Sequence, residues 1–371
     1  MRAGILGRVT QLRTVQVLGG GSAGSSAHVR SLAAGLVARG VRVTVCAPAH
    51  LDREYDFLGA GAHFVPVPRR NDPATVALLR NACIGADVVH AHGLHAGVRA
   101  TLALACGAWT PSSTPFVMTW HARSHVDGAR GGLLRLLERR TVRAAAVVLG
   151  TSSELVDRAR RRGARDARLA PVTVPVSRAP VCLHDGKARA ELGAVDRPLL
   201  MAVGSLVPGR GYGTLLDAAR VWRARDPQPL LVIAGEGRER AALQRRIEDE
   251  GLPVRLVGRR EDVAELLAAA DVAVLPSRWE ARSPLAQEAL RLGVPLVATA
   301  VGGVPELVGD AAELVPYGDA EALATAVLAL LSDPDRRSDL AAAGRVQAGT
   351  WPTEDETIAH VLSVYDELTT R

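Results

Sequence analysis

Two glutamates, Glu280 and Glu288, flank Ser283-Pro284 in the stretch 276–288. Serine is a good helix N-cap because its hydroxyl accepts from a free backbone N–H, and proline suits the first helical position, where its missing N–H costs nothing. A helix therefore opens at Pro284 and ends at Gly293. Glu288 falls one turn in, on the same face as Pro284, and Glu280 approaches from the preceding loop. Ionised carboxylates accept strong hydrogen bonds from sugar hydroxyls. A helix N-terminus offers free N–H groups to an anion such as a diphosphate. By itself Glu288 reads as a solvated helix residue. Together with Glu280, the capped helix and Gly302-Gly303-Val304-Pro305-Glu306 after the next apolar run, it reads as part of a site for a phosphorylated, hydroxyl-rich ligand.

A second constellation lies near the start. Gly19, Gly21 and Gly24 satisfy G-x-G-x-x-G between the apolar run 15–18 and a helical pattern. Glycines let the backbone turn sharply and approach a phosphate. A dinucleotide site would also want an acid at the end of the second strand to hold ribose hydroxyls. That run ends Val45-Cys46-Ala47-Pro48, and Asp52 lies beyond the proline, which argues against a nicotinamide cofactor. No cofactor is assigned.

His121 follows the apolar run 116–120 and is expected at the carboxyl edge of a sheet, where an imidazole can donate to a developing charge or orient a hydroxyl. His90 and His92 alternate in Val-His-Ala-His and are expected to divide, one facing the sheet interior and one away. The pair shows no third ligand nearby, so no metal site is assigned. His28 is expected to open the first helix.

The elements that must position these residues are legible as alternating apolar runs and amphipathic stretches. Runs at 15–18, 41–47, 63–67, 87–90, 116–120 and 146–150 precede a proline-punctuated break at Pro171, Pro175 and Pro180. A second series follows at 199–203, 230–234, 254–257, 272–275, 295–298 and 313–315. Buried parallel strands read as continuous apolar runs because helices cover both faces, so the alternation predicts doubly wound parallel sheets. The expected organisation is α/β throughout: a first Rossmann-like, acceptor-binding domain over 1–178, a hinge over 179–197 and a second, donor-binding domain over 198–350. A final helix over 351–371 is expected to cross back to the first domain.

Length and composition agree. At 371 residues, with 48% hydrophobic and 23% charged, the chain suits two cores. Aromatics at 3% leave Ala, Val and Leu to build them. The net charge of +6 is carried almost wholly by arginine, with no aromatic-interleaved patch or recognition-helix signature, so nucleic acid is not an expected partner. Four cysteines without a CxxC pair exclude a disulfide framework and a metal knuckle, and Cys46 and Cys106 are expected to be buried. No apolar run spans a membrane and no leader pattern opens the chain, which predicts a cytoplasmic protein. The basic, leucine-rich stretch 133–143 is read chiefly as a surface helix with its leucines inward. Peripheral contact with the inner face of a membrane is the secondary reading.

These residues resemble the retaining GT-B glycosyltransferases of family 4. The likeness rests on Glu280 and Glu288 as a Glu-x7-Glu motif, on Glu288-Ala289, on the run 293–299 and on the segment 302–306. It extends to the stretch 87–92, Thr119-Trp120-His121, the stretch 234–237, Val257-Gly258 and the stretch 269–277, and so covers nearly the whole chain. The resemblance implies a GT-B fold, two Rossmann-like domains facing a central cleft. It also implies metal-independent, retaining transfer of a hexose from a UDP- or GDP-linked sugar to a hydroxyl acceptor, whether small molecule, glycan or lipid-linked. It assigns Glu288 to the donor ribose, Glu280 to hydroxyls of the transferred sugar, His121 to the reacting sugar, Gly21 to the diphosphate, and Gly258 and Arg259 to the nucleobase.

One departure stands out. Where the family has Gly-Arg-Leu and then Lys-Gly, this chain reads Gly204-Ser205-Leu206-Val207-Pro208-Gly209-Arg210-Gly211. Arg210 can replace the lysine as a catalytic cation, with different geometry. Ser205 carries no charge, and losing one partner from a partly buried phosphate clamp costs on the order of 2–5 kcal/mol. Arg282, beside Ser283 and Pro284 in the donor-binding loop, is expected to supply the missing charge. A catalytically inactive nucleotide-sugar-binding protein and a sugar-nucleotide epimerase remain the alternatives on this scaffold. At the hinge, Ala170 to Pro175 replaces the family's Pro-Asn-Gly-Val-Asp.

Overall fold

The computed structural model describes residues 11–20, 23–70, 72–105, 114–123, 128–172 and 185–370. The chain divides into two compact units, Met1–Pro175 with Pro352–Arg371, and Val176–Trp351.

In the first unit, strands and helices alternate from the start. The sequence opens with β1 (Arg13–Leu18), α1 (Ala23–Ala38), β2 (Arg42–Ala47), α2 (Ala49–Tyr55), β3 (His63–Pro66) and α3 (Pro73–Cys83). It continues with β4 (Val88–His92), α4 (Leu94–Ala105), β5 (Phe116–Trp120), α5 (Gly128–Ala144), β6 (Val147–Gly150), α6 (Ser153–Arg162) and β7 (Ala167–Leu169). All seven strands run parallel in the order β3-β2-β1-β4-β5-β6-β7. Start and stop signals act where local chemistry places them. Asp72 caps α3 by accepting from the Thr75 N–H, with Pro73 in the first turn, and Gly163 ends α6 in the left-handed conformation.

The second unit begins with α7 (Asp185–Leu192), β8 (Leu199–Val203), α8 (Tyr212–Trp222), β9 (Leu230–Ala234), α9 (Arg240–Glu250), β10 (Val254–Gly258) and α10 (Val263–Ala268). It continues with β11 (Val272–Leu275), α11 (Pro284–Leu292), β12 (Leu296–Thr299), α12 (Val304–Val308), β13 (Glu313–Val315), α13 (Ala320–Ser332) and α14 (Pro334–Gly349). Its six-stranded sheet has the order β10-β9-β8-β11-β12-β13, again parallel. Two apolar layers, one on each face, are built from Leu, Val and Ala, with Trp222 and Trp351 as the large side chains.

The last helix, α15 (Glu354–Thr369), belongs to the first unit. It starts at a capping box between Thr353 and Glu356. Its Ile358, Val361, Val364 and Tyr365 join Val29, Leu32 and Leu36 of α1 in one core. Gly35 lets the two helices close, because a Cβ there would stand 2.1 Å from Ile358 Cδ1.

The structure departs from the sequence reading in several places. Residues 185–197, expected in the hinge, are built into the second unit: Leu192 and Ala194 lie in its core, and Arg189 bonds the Ala269 and Arg197 carbonyls. The remainder of that hinge, with Pro175 and Pro180, lies outside the described residues, as do Gly21, Cys106 and Cys182. His28 sits in the second turn of α1 rather than at its opening. On α5, Leu133 and Leu136 are exposed at 58% and 47%, so these two leucines do not pack inward. Among the described side chains of α5, the buried charged residue is Glu138, held by Arg158 at 2.7 Å and Arg162 at 2.9 Å. No helix among the described residues is long and apolar enough to cross a membrane.

Candidate active site

In the second unit, β8 and β11 are neighbours in the sheet, and the connections from them run outward to opposite edges. Loops leaving the carboxyl ends of two such strands diverge and open a crevice, the usual ligand position in a doubly wound sheet. The loop 204–211 follows β8 and the loop 276–283 follows β11. They meet tightly. Arg278 N–H donates to the Gly209 carbonyl at 2.8 Å. Gly211 has φ +74°, and a Cβ there would lie 1.8 Å from the Pro276 carbonyl oxygen, so only glycine fits.

Across this junction Arg210 ion-pairs with Glu280. The Ser277 hydroxyl donates to the same carboxylate oxygen of Glu280 at 2.9 Å. Glu280 is buried at 9% exposure, and burial pushes its carboxyl above the usual carboxylate value, while Arg210 and Ser277 pull it back in part. Burial wins because the Arg210 side chain is itself about a third exposed and its charge is shared with solvent. The glycine pair beyond β12 forms the floor under Glu280. Gly303 N–H donates to the Glu280 carbonyl at 2.8 Å, and at Gly302 (φ +57°) a Cβ would lie 2.1 Å from that oxygen.

α11 starts as its sequence dictates. Ser283 Oγ accepts from Ala286 N–H at 3.4 Å, Pro284 occupies the first turn and Gly293 closes the helix in the left-handed conformation. Glu288 is half-buried on this helix, 3.8 Å from Arg291, and burial raises its carboxyl while Arg291 lowers it in part. At the neighbouring strand ends, Leu206 N–H donates to the Glu236 carbonyl and Gly235 N–H to the Gly258 carbonyl, which stitches the loops after β8, β9 and β10 together. Ser205 and Arg259 are exposed there, and Gly258 adopts φ +75°.

Arg282 departs from expectation. Its guanidinium lies 5.6 Å from the centre of the Trp351 ring, as does that of Arg291, and Glu306 attracts it. Burial lowers it to about 10. Its guanidinium is thus engaged by an indole inside the unit.

The first unit has its own switch point, between β1 and β4. Gly19 stands there, where a Cβ would meet the Ala96 backbone nitrogen at 3.0 Å, so this glycine lets the loop after β1 sit against the start of α4. His90 and His92 do not divide. Residues two apart on a strand share a face, and their ring centres lie 4.3 Å apart, both buried. They belong to a connected network. Gln16 presents Oε1 to His92 Nε2 at 3.0 Å, and its Nε2 donates to the Tyr365 hydroxyl at 3.1 Å and the Thr14 hydroxyl at 3.3 Å. In that orientation Tyr365 donates to His90 Nδ1 and His90 Nε2–H donates to Thr119 Oγ1, each at 2.6 Å. His92 Nε2 then carries a proton and Nδ1 a lone pair, which faces His121 Nε2 at 3.4 Å. His28 approaches both, with ring centres 5.7 Å from His92 and 5.5 Å from His121. Burial holds all four imidazoles neutral, lowering His28 to about 4, His90 to about 3, and His92 and His121 well below the ordinary value.

Comparison with known proteins bears on both units. The family described as "Glycosyl transferase 4-like domain" matches residues 23–175, and that described as "Glycosyl transferases group 1" matches residues 185–347. The D-inositol 3-phosphate glycosyltransferase of Xylanimonas cellulosilytica is 32% identical over 314 residues, covering 77% of this chain and 73% of that protein. The chain belongs to the glycosyl transferases group 1 family. Another relative is a GDP-mannose-dependent monoacylated alpha-(1-6)-phosphatidylinositol monomannoside mannosyltransferase of Corynebacterium glutamicum. It is 35% identical over 208 residues, 52% of this chain and 55% of the relative. The chain thus spans about half the length of that relative, and 50% of a similar Mycolicibacterium smegmatis mannosyltransferase. Anabaena Alr3699/HepE, solved in complex with UDP-glucose, superposes with a TM-score of 0.79 at 20% identity, over 95% of this chain and 100% of that one. With two parallel α/β sheets, this group 1 chain has the GT-B fold.

Sequence reasoning gave no role to Gln16, Thr119, Tyr365, Ser277 or Tyr212. Gln16 carries a usable signal, as a polar residue within an apolar strand that must find partners. Tyr212 is buried beside Arg210 and Glu280, and burial pushes its hydroxyl well up. Nothing in its local sequence marks that position.

Proposed function

We propose that this chain transfers a sugar from a UDP- or GDP-linked donor to a hydroxyl acceptor, with retention of configuration and with protein groups rather than a metal ion meeting the diphosphate. The observation that carries this reading is the Arg210–Glu280 pair at the switch point of the second sheet, beside the capped start of α11. Glu280 accepts from hydroxyls of the transferred sugar, and Glu288 accepts from the ribose. Arg210, the N–H groups behind Ser283 and Pro284, and the exposed Ser205 meet the diphosphate, a charge that preorganised donors stabilise most strongly as it develops. Gly258 and Arg259 border the nucleobase. From the first unit, His121 serves the reacting sugar and Gly21 the diphosphate. Relatives dependent on GDP-mannose and a structural neighbour holding UDP-glucose support a nucleotide-sugar donor.

Ser205 motivates a second reading, a protein that binds the donor without turning it over. The acceptor belongs to the first unit, and the exposed Leu133 and Leu136 among the arginines of α5 support contact with anionic lipid. The test is incubation with UDP- and GDP-linked sugars, reading release of the free nucleotide by chromatography and product anomer by NMR. Release of UDP or GDP with an α-linked product from an α-linked donor supports the proposal. An altered sugar nucleotide with no release would indicate an epimerase, and tight binding without release the inactive reading.

A further inference from the structure

His28, His92 and His121 come from three separate places, α1, β4 and the position just after β5, yet one ring nitrogen of each lies within 4.8 Å of the others. We propose that these three histidines form a binding site for a zinc-class divalent cation, and that the cation acts as a reversible inhibitor by occupying His121.

The geometry carries the first part. Zinc sits about 2.0–2.1 Å from imidazole nitrogen in tetrahedral sites, which sets neighbouring ligand nitrogens about 3.4 Å apart. His92 Nδ1 and His121 Nε2 already stand at 3.4 Å, an edge of that tetrahedron. His28 needs only a small movement of its ring to close the triangle. The outer contacts match what a metal-bound histidine requires, since the second nitrogen of a ligating imidazole is normally fixed by a hydrogen bond. Gln16 Oε1 does this for His92, and Gln16 is itself fixed by Tyr365 and Thr14. The lone pair of His92 Nδ1 is therefore aimed inward before any cation arrives.

The His121 proton that faces His92 shifts from Nε2 to Nδ1 as the cation takes its place between the two rings. A site of three imidazole nitrogens without a carboxylate selects zinc, cobalt, nickel or copper over magnesium and calcium, which need oxygen ligands. His121 is the least buried of the three, which leaves the fourth coordination position for water on its side.

The inhibitory part rests on the role given to His121 under Proposed function; the binding part does not. The experiment therefore reads them separately, on the full chain freed of metal with EDTA. Cobalt(II) absorption and zinc calorimetry report binding, and donor turnover reports inhibition. One cation per chain is expected, with intense cobalt bands of a four- or five-coordinate site, no response to magnesium, and a zinc-induced rise in melting temperature. His28→Gln should weaken zinc binding more than about 100-fold, beyond the 10- to 100-fold scale on which outer-shell partners act. The same variant should keep its metal-free turnover and melting temperature while escaping zinc inhibition. Absence of cobalt bands in the wild type would overturn the site, as would zinc affinity unchanged in both His28→Gln and His121→Gln. Binding without any effect on turnover would overturn the inhibitory part alone, and absence of turnover under all conditions would count against the proposed transferase rather than the site.

Discussion

Arg210 and Glu280, separated by 70 positions in the chain, are paired across the junction of the loops that follow β8 and β11. The cation that would grip a diphosphate is thus held by the carboxylate that would hold the sugar. A bound donor must share Arg210 with Glu280 or take it over. Replacing Glu280 by Gln removes the charge but keeps the shape. Charge-assisted hydrogen bonds are worth about 1.5–3 kcal/mol, so Glu280→Gln should lower donor turnover about 10- to 100-fold. Single-turnover kinetics with the accepted donor would measure it, and an unchanged rate would remove Glu280 from the site.

The pair also sets a pH dependence. Burial raises the Glu280 carboxyl and Arg210 lowers it in part. An ionised Glu280 accepts hydrogen bonds more strongly than a protonated one, so activity should fall as pH drops through its raised value. Arg210→Gln removes the part that lowers it, so the acid limb should move to higher pH in that variant. A limb that stays in place or moves lower would show that the ionisation seen in the profile is not that of Glu280.

Arg282 gives a contrast. Stacked on Trp351, it should matter to stability more than to turnover. Arg282→Ala should destabilise the second unit by about 0.5–2 kcal/mol, the range of a partly desolvated cation–π contact, and reduce turnover far less than Arg210→Ala. Thermal unfolding and donor kinetics on the two variants decide it. Equal loss of turnover in both would return Arg282 to the diphosphate.

Tyr365 ties α15 to the histidine network through Gln16 and His90. Tyr365→Phe leaves His90 Nδ1 without its donor in a buried place, a loss of about 1–3 kcal/mol. The melting temperature of the first unit should fall by roughly 2–4 °C per kcal/mol lost. An unchanged melting temperature would mean that the network contributes little to holding α15.

Much of this fold was readable because parallel strands buried on both faces leave continuous apolar runs. The run 116–120 coincides with β5, and the runs 199–203, 230–234 and 272–275 with β8, β9 and β11. β7 was not readable, being three residues at a sheet edge around Arg168. Around Glu280 the helix start at Ser283-Pro284 was legible from capping chemistry, which is local. The partners of Arg282 and of His92 were not, because Trp351, His28 and Gln16 reach them only through the packing of distant elements. The histidine pair in Val-His-Ala-His was misjudged for a simpler reason: a period of two places both rings on one face.

The most direct test of the donor site is thermal unfolding of the wild type and of Glu288→Ala with UDP, GDP, ADP, their sugars and NAD, without added metal. A ligand at 100 times its dissociation constant stabilises by roughly 2.7 kcal/mol. The predicted result is a clear shift with one nucleotide diphosphate family, UDP or GDP, that is reduced in Glu288→Ala. No shift with any nucleotide diphosphate, a shift with NAD alone, or a shift of the same size in Glu288→Ala would contradict a nucleotide-sugar site at the start of α11.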